Sequence, residues 1–145
     1  MANDELYTPK FIFDALKIDF DLDVCAPESG PLHTPAHKWY SLKDDGLIQP
    51  WFGRVWMNPP FSKPSPWVDR WLDHKDGFAL LPMGGNGNWL QKLWESQARC
   101  LLMKPNVPFI NTQGEIKKIS YRISIWAIGE RNITLLQMSG LGVIR

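Results

Sequence analysis

The sequence predicts an α/β domain, a mostly parallel sheet with helices on its faces that ends in an antiparallel hairpin. Three observations point there. Short apolar runs of strand length alternate with longer segments whose apolar residues recur at helical spacing. Proline and glycine mark the boundaries between them. Gly129-Glu130-Arg131-Asn132 then reads as a turn between two runs of strand length, Tyr121 to Ile128 and Thr134 to Met138.

The elements follow in order. Thr8 is placed to cap the first helix and Pro9 to fill its first position, where a missing N–H costs nothing. Phe11, Ile12, Ala15 and Leu16 supply its apolar face. Phe20 to Cys25 is the first strand. The stretch 27–49 is turn-rich, with Pro27, Gly30, Pro31, Pro35 and Gly46, and reads as a long irregular connection of the kind that carries function. Arg54 to Met57 is the second strand. Pro64 to His74 is a helix with Trp67 and Trp71 four apart on its buried face. Phe78 to Leu81 is the third strand, stopped by Pro82. Asn88 to Ala98 is a helix capped by Asn86 or Asn88. Cys100 to Met103 is the fourth strand, Val107 to Ile110 a short extended piece, and Asn111 to Lys117 a polar turn.

A chain of 145 residues and 16.7 kDa is one domain by size, spanning 1–145, and long enough to bury a core. No apolar run approaches the ~20 residues of a membrane span. The first residues lack the basic start and apolar stretch of a leader, so a cytoplasmic location is expected. A net charge of +1 does not advertise nucleic-acid binding. A local basic face remains open to Lys63, Arg70, Lys104, Lys117, Lys118 and Arg122, each by itself an ordinary solvated charge. Cys25 and Cys100 read as reduced thiols. His33, His37 and Cys25 lack a fourth ligand, so no metal site is expected. Gly84-Gly85-Asn86-Gly87-Asn88 imitates a phosphate loop but lacks the Lys-Ser/Thr of one.

The most informative residues are Asn58-Pro59-Pro60-Phe61, directly after the apolar run Val55-Trp56-Met57. Two prolines in a row end ladder bonding, because neither has an N–H. The strand therefore delivers an amide, rigid carbonyls and an aromatic ring just past its C-terminal end, where ligands bind in open α/β sheets. The Asn58 side-chain oxygen and the Pro59 carbonyl are both acceptors and can take the two hydrogens of an exocyclic amine. Phe61 offers a face to a planar base, or else packs in the core. Asp23 brings a carboxylate to the end of the first strand, and Asp44-Asp45-Gly46 forms a turn before the second.

Asn58-Pro59-Pro60-Phe61 resembles the catalytic tetrapeptide of the S-adenosylmethionine-dependent amino-methyltransferases. With Tyr7-Thr8-Pro9, Leu22-Asp23-Val24-Cys25-Ala26, Asp44-Asp45-Gly46-Leu47 and Trp51, the chain is similar to the phage-type, Dam-like DNA N6-adenine methyltransferases. Ser62, Trp67-Val68, Leu80-Leu81-Pro82, Trp89 and Phe109 support the likeness. The family more often carries Tyr where this chain has Phe61. The resemblance implies a reduced Rossmann-like methyltransferase fold, S-adenosylmethionine as cofactor, DNA as partner and, for a phage protein, the host cytoplasm. It implies catalytic roles for Asn58, Pro59, Pro60 and Phe61, with the target base flipped out and held by them. It places Tyr7, Thr8, Pro9, Asp23, Cys25, Ala26 and Asp45 around the cofactor. Cytosine N4 or a glutamine amide as substrate, and a non-catalytic member that binds nucleic acid or a host protein, are the alternatives. No signal for an oligomeric state stands in the sequence.

Overall fold

The computed structural model describes residues 6–145. Most of the N-terminal segment read against a leader lies outside that range. The elements are α1 (Lys10–Leu16), β1 (Phe20–Asp23), β2 (Ala36–Trp39), β3 (Val55–Met57), α2 (Ser65–His74), β4 (Gly77–Met83), α3 (Asn88–Trp94), β5 (Arg99–Leu102), β6 (Pro108–Ile110), β7 (Ile116–Lys118), β8 (Arg122–Ile128) and α4 (Glu130–Met138). Six strands form one sheet in the order β2-β1-β3-β4-β8-β5, and β6 and β7 form a separate hairpin. β1 pairs parallel with β2 and β3, and β3 with β4, whereas β8 runs antiparallel between β4 and β5. This α/β fold with a mixed parallel and antiparallel sheet is consistent with a Rossmann-like topology.

Strand alternation explains the layers. In β3, Val55 and Met57 face one side and Trp56 the other. The first side is covered by Trp67, Val68 and Trp71 of α2 and by Trp89 and Leu93 of α3. The second is covered by Ile12, Phe13 and Leu16 of α1 and by Leu136 of α4. Trp56 packs edge-on against Phe13 with ring centroids 4.8 Å apart. Burying a large apolar side chain contributes roughly 1.5–3 kcal/mol, and Trp56, Trp71 and Trp126 are all in the fully buried set. Much of the chain's tryptophan is therefore core. Among the described residues no helix is long and apolar enough to cross a membrane.

The expected terminal hairpin is not formed. Thr134 to Met138 lies in α4, where Asn132 and Leu136 are buried at helical spacing. The physical reason is that β8 is an interior strand, paired with β4 on one edge and β5 on the other. It has no edge to offer a further strand. The stretch 27–49 contains β2, which the sequence does not signal; it is a sheet edge whose residues are mostly exposed, so it lacks the apolar alternation that marks a strand. β4 continues through Pro82 to Met83, because β3 stops pairing at Ala79 and leaves that edge of β4 open where Pro82 sits. The polar turn at 111–117 closes as the β6–β7 hairpin. α1 begins after Pro9 without a side-chain cap, and α3 after Gly87 likewise.

Candidate active site

The strand order reverses at β1, which has β2 on one side and β3 on the other. A crevice opens outside the C-terminal ends of the strands at such a point. There the chain forms a cavity of about 430 Å³. Asp23, Cys25 and Ala26 reach it from the end of β1, Asn58 and Pro60 from the end of β3, Tyr7 and Thr8 from the segment before α1, and Asp45 from the connection before β3. Register explains the meeting of the first two groups. Asp23 pairs with Trp56, and Asn58 is two residues further on. Pro9, Pro59 and Phe61 stand outside the lining.

Asp23 is 3 % exposed and has no cationic partner among the described residues. Burial pushes its carboxyl up to about 7, against the lowering effect of the Cys25 backbone N–H, which donates to Oδ1 at 3.1 Å. A buried carboxyl facing a cavity, with no countercharge among the described residues, ionises more readily when a cation is placed beside it.

Asn58 is oriented by what it touches. Its Nδ2 donates to the Leu6 carbonyl at 3.3 Å and to the Thr8 hydroxyl at 3.1 Å. A carbonyl only accepts, so the nitrogen is the end that faces Leu6. The Oδ1 atom is then the other end of the amide, with no hydrogen-bond partner among the described residues.

The wall before β3 is braced. Asp45 holds a left-handed conformation, φ 55°, and its Oδ1 accepts from the Leu47 N–H at 3.2 Å. A Cβ at Gly46 would stand 2.0 Å from the Val24 carbonyl oxygen, so only glycine lets this loop lie against the end of β1. Trp51 donates Nε1–H to the Gly46 carbonyl at 2.7 Å. Arg70 donates to the Leu47 carbonyl and, at 2.7 Å, to the Gln49 carbonyl, and its guanidinium lies 4.9 Å from the Trp51 ring centre. Arg70 is thus a brace of the cavity wall rather than part of a basic surface.

Phe61 is half-buried. Its ring meets Phe109 of β6 at 87° and 6.3 Å, and Tyr121 at 6.0 Å. It stands between the cavity rim and the β6–β7 hairpin. Tyr7 exchanges backbone bonds with Ile110 at 2.7 and 3.3 Å, and its hydroxyl meets Ser29 Oγ at 2.6 Å. One short segment therefore ties the hairpin, the cavity mouth and Asn58 together. His33 and Lys63 also line the cavity, a place sequence reasoning gives to neither; the length of the connection at 27–49 is the available signal for His33. Trp67, expected in the core, is both core and cavity wall. Among the described residues no three metal-ligating side chains converge.

Residues 1–125 match the DNA N-6-adenine-methyltransferase (Dam) family. The chain belongs to that family. It is also 31 % identical over 117 residues to a DNA N-6-adenine-methyltransferase of Haemophilus phage HP1 (strain HP1c1), a match covering 73 % of this chain and 66 % of the relative. No solved structure matches the chain significantly. The Dam match takes in the whole cavity and the β6–β7 hairpin and ends within β8, leaving α4 beyond it.

Proposed function

We propose that this Dam-family chain transfers the methyl group of S-adenosylmethionine to the N6 amine of adenine in DNA. The observation that carries the reading is the cavity in which an uncompensated buried carboxylate, Asp23, and the amide of Asn58 stand at the ends of adjacent parallel strands. The cofactor fits this donor set. It is cationic, and Asp23 lacks a countercharge among the described residues. Asp23 would hold its charged amino-acid end, Tyr7 would close over it, and Asp45 would accept from its adenine amine. When bound, it supplies a methyl group made electrophilic by a sulfonium.

The remaining chemistry is positioning. The N6 lone pair is delocalised into the adenine ring, so the amine is a poor nucleophile. Asn58 Oδ1 and the Pro59 carbonyl would accept its two hydrogens and favour a lone pair aimed at the methyl group, an interaction that strengthens as positive charge builds on nitrogen. An amine inside a duplex is out of reach, so the base would be turned out and stacked on the exposed part of Phe61. Lys117 and Lys118 of β7, with Lys104, would meet the DNA backbone beside that ring.

The test is methyl incorporation from labelled S-adenosylmethionine into unmodified DNA, with the product nucleoside identified by mass. The parent should yield N6-methyladenine. Asn58→Ala should stay folded, keep cofactor binding and lose about a hundredfold or more in turnover, the scale of a missing transition-state partner. An Asn58→Ala protein as active as the parent would refute the assignment.

A further inference from the structure

We propose that Thr8 is a positioning residue whose hydroxyl holds the Asn58 amide in its working orientation, an inference that rests on Asn58 being the acceptor for the target amine. The amide nitrogen, which carries two N–H groups, meets two acceptors of one short segment. Leu6 offers a carbonyl at 3.3 Å and Thr8 a hydroxyl at 3.1 Å. The carbonyl decides which end of the amide is nitrogen, and turning the amide over would give up the bond to that carbonyl. Thr8 is 5 % exposed, so losing its hydroxyl takes a buried acceptor away from the amide.

The segment cannot simply follow a drifting Asn58. It is pinned on its far side by the paired bonds between Tyr7 and Ile110 and by the Tyr7–Ser29 contact. Nor is the Thr8 hydroxyl engaged as a helix cap, since α1 starts at Lys10 with no side-chain cap bond. Thr8 also lines the cavity, so a direct contact with the cofactor is the competing role. The two roles separate experimentally, because a positioning residue acts on turnover and a cofactor contact on cofactor affinity.

The variants are Thr8→Val, which keeps the shape and removes the hydroxyl, and Thr8→Ser, which keeps the hydroxyl and removes a methyl. In the full chain, three quantities are measured. They are cofactor affinity by calorimetry, kcat and KM on DNA, and the side-chain amide resonances of Asn58, assigned by their disappearance in Asn58→Ala. Thr8→Val should lower kcat by about tenfold to a hundredfold, the cost of a reacting group misplaced by about 1 Å. Its KM and cofactor affinity should stay near the parent's, its Asn58 amide resonances should shift and exchange faster, and Thr8→Ser should restore both. The proposal is overturned if Thr8→Val keeps the parental kcat, if cofactor affinity falls as far as kcat, or if Thr8→Ser is as impaired as Thr8→Val. A parent inert on DNA overturns the methylation reading and any catalytic part for Thr8. Unmoved Asn58 resonances in Thr8→Val overturn the Thr8–Asn58 bond itself, whatever the activity.

Discussion

Asp23 would link stability to the proposed cofactor binding. Its carboxyl rises from 3.8 to about 7 through burial. Between those values the folded protein holds a proton that the unfolded chain has released. The group's contribution to stability is therefore full below the ordinary carboxyl value and is lost as pH rises through about 7. Asp23→Asn keeps an acceptor for the Cys25 N–H and carries no charge. Its melting temperature without ligand should exceed the parent's at pH 8, by about 2–4 °C per kcal/mol recovered in a chain of this size, and match it near pH 4. Cation binding runs the opposite way, since it needs the carboxylate. Affinity for S-adenosylmethionine should fall in Asp23→Asn, and in the parent as pH drops below about 7. Calorimetry across that range checks both signs, and a pH-independent affinity would remove Asp23 from the cation site.

At the scale of an element, the connection before β3 behaves as a built wall. Gly46 is the close approach, with the Val24 carbonyl oxygen 2.0 Å from where a Cβ would stand. Trp51 and Arg70 tie the loop's carbonyls down from the other side, so the loop has nowhere to retreat. Gly46→Ala should destabilise the fold by about 1–3 kcal/mol, the usual cost of overpacking. It should also weaken cofactor binding, because Asp45 is displaced with its neighbour. Thermal melts and cofactor titration check this. A Gly46→Ala protein with unchanged melting and affinity would mean that the loop relaxes freely.

For the whole molecule, charge sets the terms of the proposed DNA binding. The net charge is only +1, so any affinity for a phosphate backbone must come from a local face rather than from the field of the protein. Arg70 is occupied in the cavity wall, and Arg122 donates to the Met103 carbonyl at 2.6 Å. Lys117 and Lys118 are exposed on the β6–β7 hairpin, whose Phe109 abuts Phe61. Replacing both lysines by Ala should weaken DNA binding across sequences alike. It should also reduce the salt slope of log affinity by about 0.9 for each phosphate that is no longer neutralised. Titrations at several salt concentrations read this directly, and an unchanged slope would move the DNA face elsewhere.

Sequence by itself determined the alternation of strands and helices, the end of β3 at two prolines and the carboxylate at the end of β1. These are local signals: apolar period, missing N–H groups and the residue types at a strand's end. Those strand ends carry Asp23 and Asn58, which line one cavity with Asp45; its place at the reversal of strand order depends on β2. Tertiary structure decided what local pattern leaves open. Thr134 to Met138 is too short for its period to tell helix from strand, and the filled edges of β8 settled it. β2 carries no apolar alternation and exists because β1 offers it an edge. Thr8 reads as a helix cap in sequence, yet its hydroxyl meets an amide fifty positions away. Pairings of that separation leave no periodic trace, so only the folded chain could join Thr8 to Asn58, or turn Arg70 from a surface charge into a brace.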